Sequence, residues 1–413
     1  MSVDLRTRSD EDLSAVDPHA FFSTEFPTVL DARQELLEAG AARLRLRPFS
    51  VEIEREVWSL EWESDRVRVH PGTLPDAAHL KLTVDELTRL VYDQCTPMTF
   101  FTGGTLDMPR GGLSDFLDWW LVLRAALDGR RLHTPGAVTF RNRQGGRLEL
   151  RRAFHPDDSV EEMSHFLHEA GFLHLAGVFA DEEMAQISAD MDRASSSYHD
   201  GDGRSWWATT ADGTRRLVRM QGFDQCSAAT AGLLRDERLL RIETLTGDGH
   251  VHTGLEQNRI EALMKPIGVV EGISDVPWHK DCSLGRHSYE CCSLTCGISV
   301  TGADASSGQL RVVAGSHRAL MRPALVRPGS HDLPEIELPT RTGDVTVHLS
   351  CTLHMSQPPQ QRERRVMYTS FRLPSKNPQA AARARARLRA VREGAYTTVS
   401  QEPSHIARRE LSA

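Results

Sequence analysis

Gly343-Asp344-Val345-Thr346-Val347-His348-Leu349 is the stretch that decides the fold. Val345, Val347 and Leu349 alternate with Thr346 and His348, the period of a half-buried strand entered through a Gly-Asp turn. Short apolar runs of the same kind recur around it, at residues 262–264, 294–300, 310–313 and 366–371, each bounded by turn residues. Ahead of these strands lie helical patterns. Ser159 and Glu162 form a capping box before Val160, Met163, Phe166 and Leu167, and Gly171 stops the helix. The apolar run 172–178 follows, then a helix with Met184, Ile187 and Met191 on one side. Helices followed by several antiparallel-type strands predict a double-stranded β-helix, a jelly-roll or cupin-like barrel with helical support.

The N-terminal third reads differently. Strand-like runs at 57–60 and 66–70 alternate with two helices. One spans 83–94, with Thr83 as its cap and Val84, Leu87, Leu90 and Val91 in phase; the other spans 114–127, with Ser114 as its cap and Phe116, Trp119, Trp120 and Leu123 on one face. The whole is therefore an α+β chain in two domains, a small α+β unit over residues 1–150 and the barrel over 151–413. The 413 residues suit two domains. With 49 Lys+Arg against 57 Asp+Glu the net charge is −8, which argues against a nucleic-acid partner. The acidic first twenty residues are no secretory signal, and the apolar run at 119–126 is broken by Arg124, so no membrane span is expected. Seven cysteines without paired zinc-like spacing suggest reduced thiols and a cytoplasmic protein.

Trp278-His279-Lys280-Asp281 is the sharpest chemical feature. On a strand, His279 and Asp281 share a face. A second histidine stands at His354-Met355-Ser356, and Arg365 follows eleven residues after His354. Two histidines and one carboxylate hold Fe(II) on one triangular face and leave the other positions open, the ligand set of non-haem oxygenases. Arg365 offers a planar fork for a carboxylate, which a dicarboxylate co-substrate requires.

On these residues the chain resembles the phytanoyl-CoA dioxygenase-like Fe(II)/2-oxoglutarate oxygenases, from about Glu169 to Pro374. Gly171-Phe172, Lys265-Pro266, Trp278-His279-Lys280-Asp281, Gly308 through Arg318 and Gly343-Asp344 through Arg365 carry the match. The resemblance implies iron ligation by His279, Asp281 and His354. It implies 2-oxoglutarate binding by Arg365, helped by the Ser356 hydroxyl and by Lys280. It also implies O2 as oxidant, decarboxylation to succinate and CO2, and hydrogen abstraction from a small or lipid-like substrate. Two positions depart from the family pattern. Gly297 stands where an aromatic residue often lies beside the co-substrate, implying a wider or differently filled pocket, and Ala314 replaces a proline. Asp281, rather than Gly or Ala, fills the position that related halogenases leave to chloride, which favours hydroxylation. Separately, residues 35–135, with Phe100-Phe101-Thr102-Gly103-Gly104, resemble a sterol-carrier-protein-type domain, implying either a lipid-sized tunnel or a packing role.

Other readings compete. His348 is a rival third ligand, but its seventeen-residue distance to Arg365 fits less well than His354. Arg362 and Arg364 compete with Arg365 and read as a charged turn. His165, His168, His174, His317 and Arg318 read as structural. Cys282, Cys291, Cys292 and Cys296 read as buried thiols rather than a zinc site. The run 215–221, after Trp206 and Trp207, lies where the family builds a substrate lid. The functional alternatives are a non-catalytic lipid-binding protein with a degenerate barrel, and a zinc or manganese cupin-type isomerase or hydrolase in which Arg365 has no role.

Overall fold

The computed structural model describes residues 12–44, 46–252, 259–272, 276–284, 293–324 and 330–393. Two facing sheets form the barrel. The larger one runs, edge to edge, Val269–Glu271, Ser205–Thr210, Arg215–Met220, Glu261–Lys265, Arg364–Arg372, Ser293–Ser299, Val345–Leu349 and Phe172–Leu175, with Val251–His252 added beside Arg364–Arg372. The smaller has four strands in the order Val276–His279, His354–Ser356, Leu310–Val313 and Glu335–Leu338. All pairings in both sheets are antiparallel.

Alternation sorts each strand into two faces. On Arg364–Arg372, Met367 and Phe371 enter a core shared with Met184, Ile187 and Met191 of helix Asp181–Ala194. The opposite face looks into the barrel. Val345–Leu349 is buried on both faces rather than half-buried, because strands flank it and the barrel lumen closes over Thr346 and His348. Gly343, which opens this strand, has φ +80°, and a Cβ there would stand 1.9 Å from the Phe179 carbonyl oxygen, so only glycine fits the turn. Helix Val160–Ala170 starts on Ser159 and ends on Gly171 in the left-handed conformation.

The N-terminal unit holds a four-stranded sheet in the order Arg66–Pro71, Glu56–Glu63, Phe49–Ile53 and Ala78–Leu82, the last pair parallel. Thr83 caps helix Val84–Val91 through a reciprocal bond with Glu86. The next long helix, Leu113–Asp128, starts on Gly112 instead of Ser114. The Asp115 carboxylate takes the Gly112 N–H (3.0 Å), and the Ser114 hydroxyl accepts from Arg322 (2.9 Å) instead of capping. Arg124, which breaks the apolar run, is fully buried and donates to the Val91 carbonyl, with Asp93 and Asp128 each 3.6 Å away.

Residues 320–324 join the two cores. Leu320 packs into the N-terminal cluster with Leu132, Met321 packs beside Trp278 and Val313, and Ala324 packs against Met98, Leu113 and Leu117. Ala324 also bridges to His279, and the Lys280 N–H donates to the Pro323 carbonyl (3.0 Å). Arg322 locks the joint with a two-pronged bond to Asp118 (2.8 and 2.6 Å). Phe140, Leu148 and Leu150 already pack on the barrel core. Among the described residues no helix is long and apolar enough to cross a membrane.

Candidate metal centre

Strand Val276–His279 lies antiparallel to His354–Ser356, and the register sets His279 opposite His354. Their ring centroids are 4.2 Å apart. The strand ends at His279, so Asp281 does not share a strand face with it; Asp281 opens the short 3-10 turn Asp281–Leu284. That turn swings the carboxylate back to the histidines. Asp281 Oδ1 stands 3.4 Å from His279 Nε2 and 3.6 Å from His354 Nε2. One ligand atom from each of the three lies within 4.8 Å of the others, the one such group of three or more among the described residues.

The tautomers suit a metal. His279 Nδ1–H donates to the Pro277 carbonyl (2.8 Å), and His354 Nδ1–H donates to the Thr352 carbonyl (2.9 Å). Each leaves its Nε2 lone pair facing the centre, the usual second-sphere arrangement of ligating imidazoles. Burial, with His348 and His279 close by, holds His354 well below the ordinary imidazole range, so its ring is neutral. Burial acts upward on Asp281, but His354, His279 and His348 facing it hold the carboxyl well below the usual carboxylate range. Two imidazoles with their Nε2 atoms turned inward and one ionised carboxylate fit a divalent first-row metal such as iron. His354 is buried, whereas His279 and Asp281 keep 27% and 31% of their side chains exposed, so the centre is reachable.

Two residues beyond His354, on the same face of the strand, the Ser356 hydroxyl gathers two cations. Lys265 Nζ donates to Ser356 Oγ (2.7 Å) and to the Gln357 carbonyl (3.0 Å). Arg364 donates to the Gly308 carbonyl (2.8 Å) and to Ser356 Oγ (3.3 Å), and its Nε–H has no hydrogen-bond partner among the described residues. Lys265 and Arg364 are both buried and pair directly across neighbouring strands. A two-residue step along a strand is about 7 Å, close to the reach of a five-carbon dicarboxylate that chelates a metal at one end.

Arg365 is not in this pocket, which corrects the expectation drawn from spacing. Its guanidinium donates to Ser188 (2.9 Å to the carbonyl, 3.0 Å to Oγ) and to Asp192 Oδ1 (2.7 Å), both on helix Asp181–Ala194 outside the barrel. Strand alternation is the reason: Arg364 faces the lumen and its neighbour must face the helix.

Residues 167–366 match the phytanoyl-CoA dioxygenase family model. The match covers most of the barrel, including the strands that carry His279 and His354, and ends within strand Arg364–Arg372. No curated protein matches the chain. Among solved structures, AviO1 from Streptomyces viridochromogenes Tue57 is 22% identical over 51% of this chain and 92% of its own, at TM-score 0.38. The non-heme alpha-ketoglutarate-dependent epimerase SnoN from nogalamycin biosynthesis is 17% identical over 54% and 86%, at TM-score 0.40. The corresponding carbocyclase SnoK is 17% identical over 56% and 93%, also at 0.40.

The other expected site residues are placed as follows. Lys280 turns away from the family-like pocket: fully buried, it donates to the Ser316 carbonyl (2.8 Å), and burial pushes its ammonium down to about 8. It braces the strand and is no co-substrate contact. The space beside Gly297 is filled from a neighbouring strand, since a Cβ there would stand 3.0 Å from the Tyr368 ring and 2.9 Å from Thr346 Oγ1. The run 215–221 is no lid but mostly strand Arg215–Met220 of the larger sheet. Its arginines pair with Asp200, Glu363 and Glu261. His165 and His317 contact backbone carbonyls, and His174 contacts Asp344. Cys296 is buried as expected and Cys282 only half-buried, and neither forms a disulfide, while Cys291 and Cys292 lie outside the described residues. Sequence reasoning gave Lys265 no role and dismissed Arg364. The available signal was parity: counting sides along the strand, rather than residues from His354, distinguishes 364 from 365.

Proposed function

We propose that the chain is an Fe(II)- and 2-oxoglutarate-dependent dioxygenase that hydroxylates a small or lipid-like metabolite. One observation carries this reading: three potential metal donors converge, and two residues along the strand from His354 the Ser356 hydroxyl gathers the buried cations Lys265 and Arg364. His279, Asp281 and His354 would hold the metal through Nε2, Oδ1 and Nε2. Arg364, Lys265 and Ser356 would bind the far carboxylate of 2-oxoglutarate, with the Arg364 fork setting its orientation. When bound, the ferrous ion supplies O2 activation coupled to decarboxylation of 2-oxoglutarate. The surrounding chain fixes the donors, neutralises the dicarboxylate and excludes water from the lumen. Asp281 occupies the position that a chloride-binding relative leaves open, which supports hydroxylation.

Residues 1–150 are proposed as an accessory domain. Its separate apolar cluster around Trp119 and Trp120 and its link through residues 320–324 support a role in bracing the His279 strand. The test is succinate release from 2-oxoglutarate in the presence and absence of added Fe(II), in wild type and in His279→Ala and Asp281→Ala. Iron-dependent succinate lost in both variants supports the oxygenase. Lipid retention without iron-stimulated succinate supports the binding protein instead.

A further inference from the structure

His348 sits against the metal centre with no assigned task. It lies on strand Val345–Leu349, directly across from Thr295 on Ser293–Ser299, and both face the lumen. Its ring is 1% exposed and stands 4.1 Å, centroid to centroid, from His354. Neither ring nitrogen has a hydrogen-bond partner among the described residues. A buried imidazole with both nitrogens unsatisfied is costly, and a packing role would be filled better by leucine.

The two oxygens of Asp281 have different surroundings. Oδ1 faces His279 and His354. Oδ2 accepts a hydrogen bond from Thr295 Oγ1 (2.7 Å) and has His348 Nε2 3.4 Å away. We propose that His348 is a positioning residue for the metal centre: with Thr295 it grips the outer oxygen of Asp281 and so presents the inner one to the ion. The inference rests on the metal-site reading above. A movement of a few tenths of an ångström brings Nε2–H into hydrogen-bond range of Oδ2. A carboxylate held at its outer oxygen binds through one oxygen only, which leaves coordination positions open for co-substrate and O2. His348 is not itself a ligand in this arrangement, because its Nε2 approaches the other oxygen of Asp281 and His348 falls outside the group of three whose ligand atoms all lie within 4.8 Å of one another.

The test uses the full-length, metal-free protein titrated with Co(II) under anaerobic conditions, read by visible absorption and thermal unfolding. His348→Leu and Thr295→Val should each weaken Co(II) binding by about tenfold or more, the usual size of an outer-sphere loss. Because both hold one oxygen, the double variant should lose less than the product of the two. His348→Gln, which keeps an N–H donor, should recover part of the affinity. Thermal unfolding of each metal-free variant checks that it still folds. Unchanged Co(II) affinity in His348→Leu would overturn the proposal. So would a His348→Leu spectrum showing a lower coordination number, which would make His348 a ligand. His279→Ala is the control: if it binds Co(II) as wild type does, the metal-site reading itself falls, whereas its loss beside an unaffected His348→Leu removes only this inference.

Discussion

Arg364 and Arg365 are adjacent in sequence and opposite in role, so exchanging each for methionine separates the co-substrate pocket from the outer helix. Arg364 is buried and its fork points at Ser356 and Gly308. Losing it removes two charge-assisted hydrogen bonds to the co-substrate carboxylate, each worth roughly 1.5–3 kcal/mol. Lys265 remains and retains part of the attraction, so a net loss of about 3 kcal/mol is expected, or roughly 100-fold in 2-oxoglutarate affinity. Arg364→Lys, which keeps the charge without the fork, should fall between. Arg365 instead pairs with Asp192, whose side chain is 64% exposed. Breaking that pair should cost under about 1 kcal/mol of stability and leave the co-substrate unaffected. The assay is the KM for 2-oxoglutarate from succinate release, with thermal unfolding and metal content checked in each variant. A hundredfold rise in Arg365→Met with an unchanged value in a folded Arg364→Met would refute the strand-parity argument.

Two further outcomes test the frame around the site. Arg322→Met should destabilise the chain to urea by about 2 kcal/mol, because it leaves the largely buried Asp118 carboxylate without its two-pronged donor, and it should lower metal affinity as residues 320–324 loosen beside His279. An unchanged urea midpoint would show that the joint carries no load. Asp344 is held below the usual carboxylate range: burial acts upward, but His174 and the N–H groups of Gly177 and Arg341 prevail. A depressed group contributes stability above its unfolded pKa and loses it as pH falls through the folded one. Asp344→Asn should therefore cost about 1–2 kcal/mol at neutral pH, with the gap to wild type closing in acid; a pH-independent gap in unfolding midpoints would contradict this.

Much of the barrel was legible in the sequence because its signals are local. The runs 310–313 and 345–349 coincide with observed strands, and Ser159 and Gly171 bound their helix as capping chemistry predicts. His279, Asp281 and His354, which the fold brings together, were singled out by the family resemblance, because a lone His-x-Asp is more often structural. What failed depends on contacts that a linear reading does not contain. Ser114 is not a cap because an arginine about two hundred residues away engages its hydroxyl. Arg365 was chosen by counting residues, whereas a strand sorts neighbours by side. The family resemblance implies co-substrate binding by Lys280, yet its side chain is fully buried and donates to the Ser316 carbonyl instead. Tyr368 fills the space beside Gly297 from another strand, a substitution that only the register makes visible.

A single ferrous ion that binds 2-oxoglutarate between the three donors and the two cations would have a visible signature. Anaerobic addition of Fe(II) and then 2-oxoglutarate to the metal-free protein should produce a visible metal-to-ligand charge-transfer band. That band should be absent in Asp281→Ala and should require far more 2-oxoglutarate in Arg364→Met. A wild-type protein that develops no band, or a band that persists unchanged in Asp281→Ala, would contradict this binding mode.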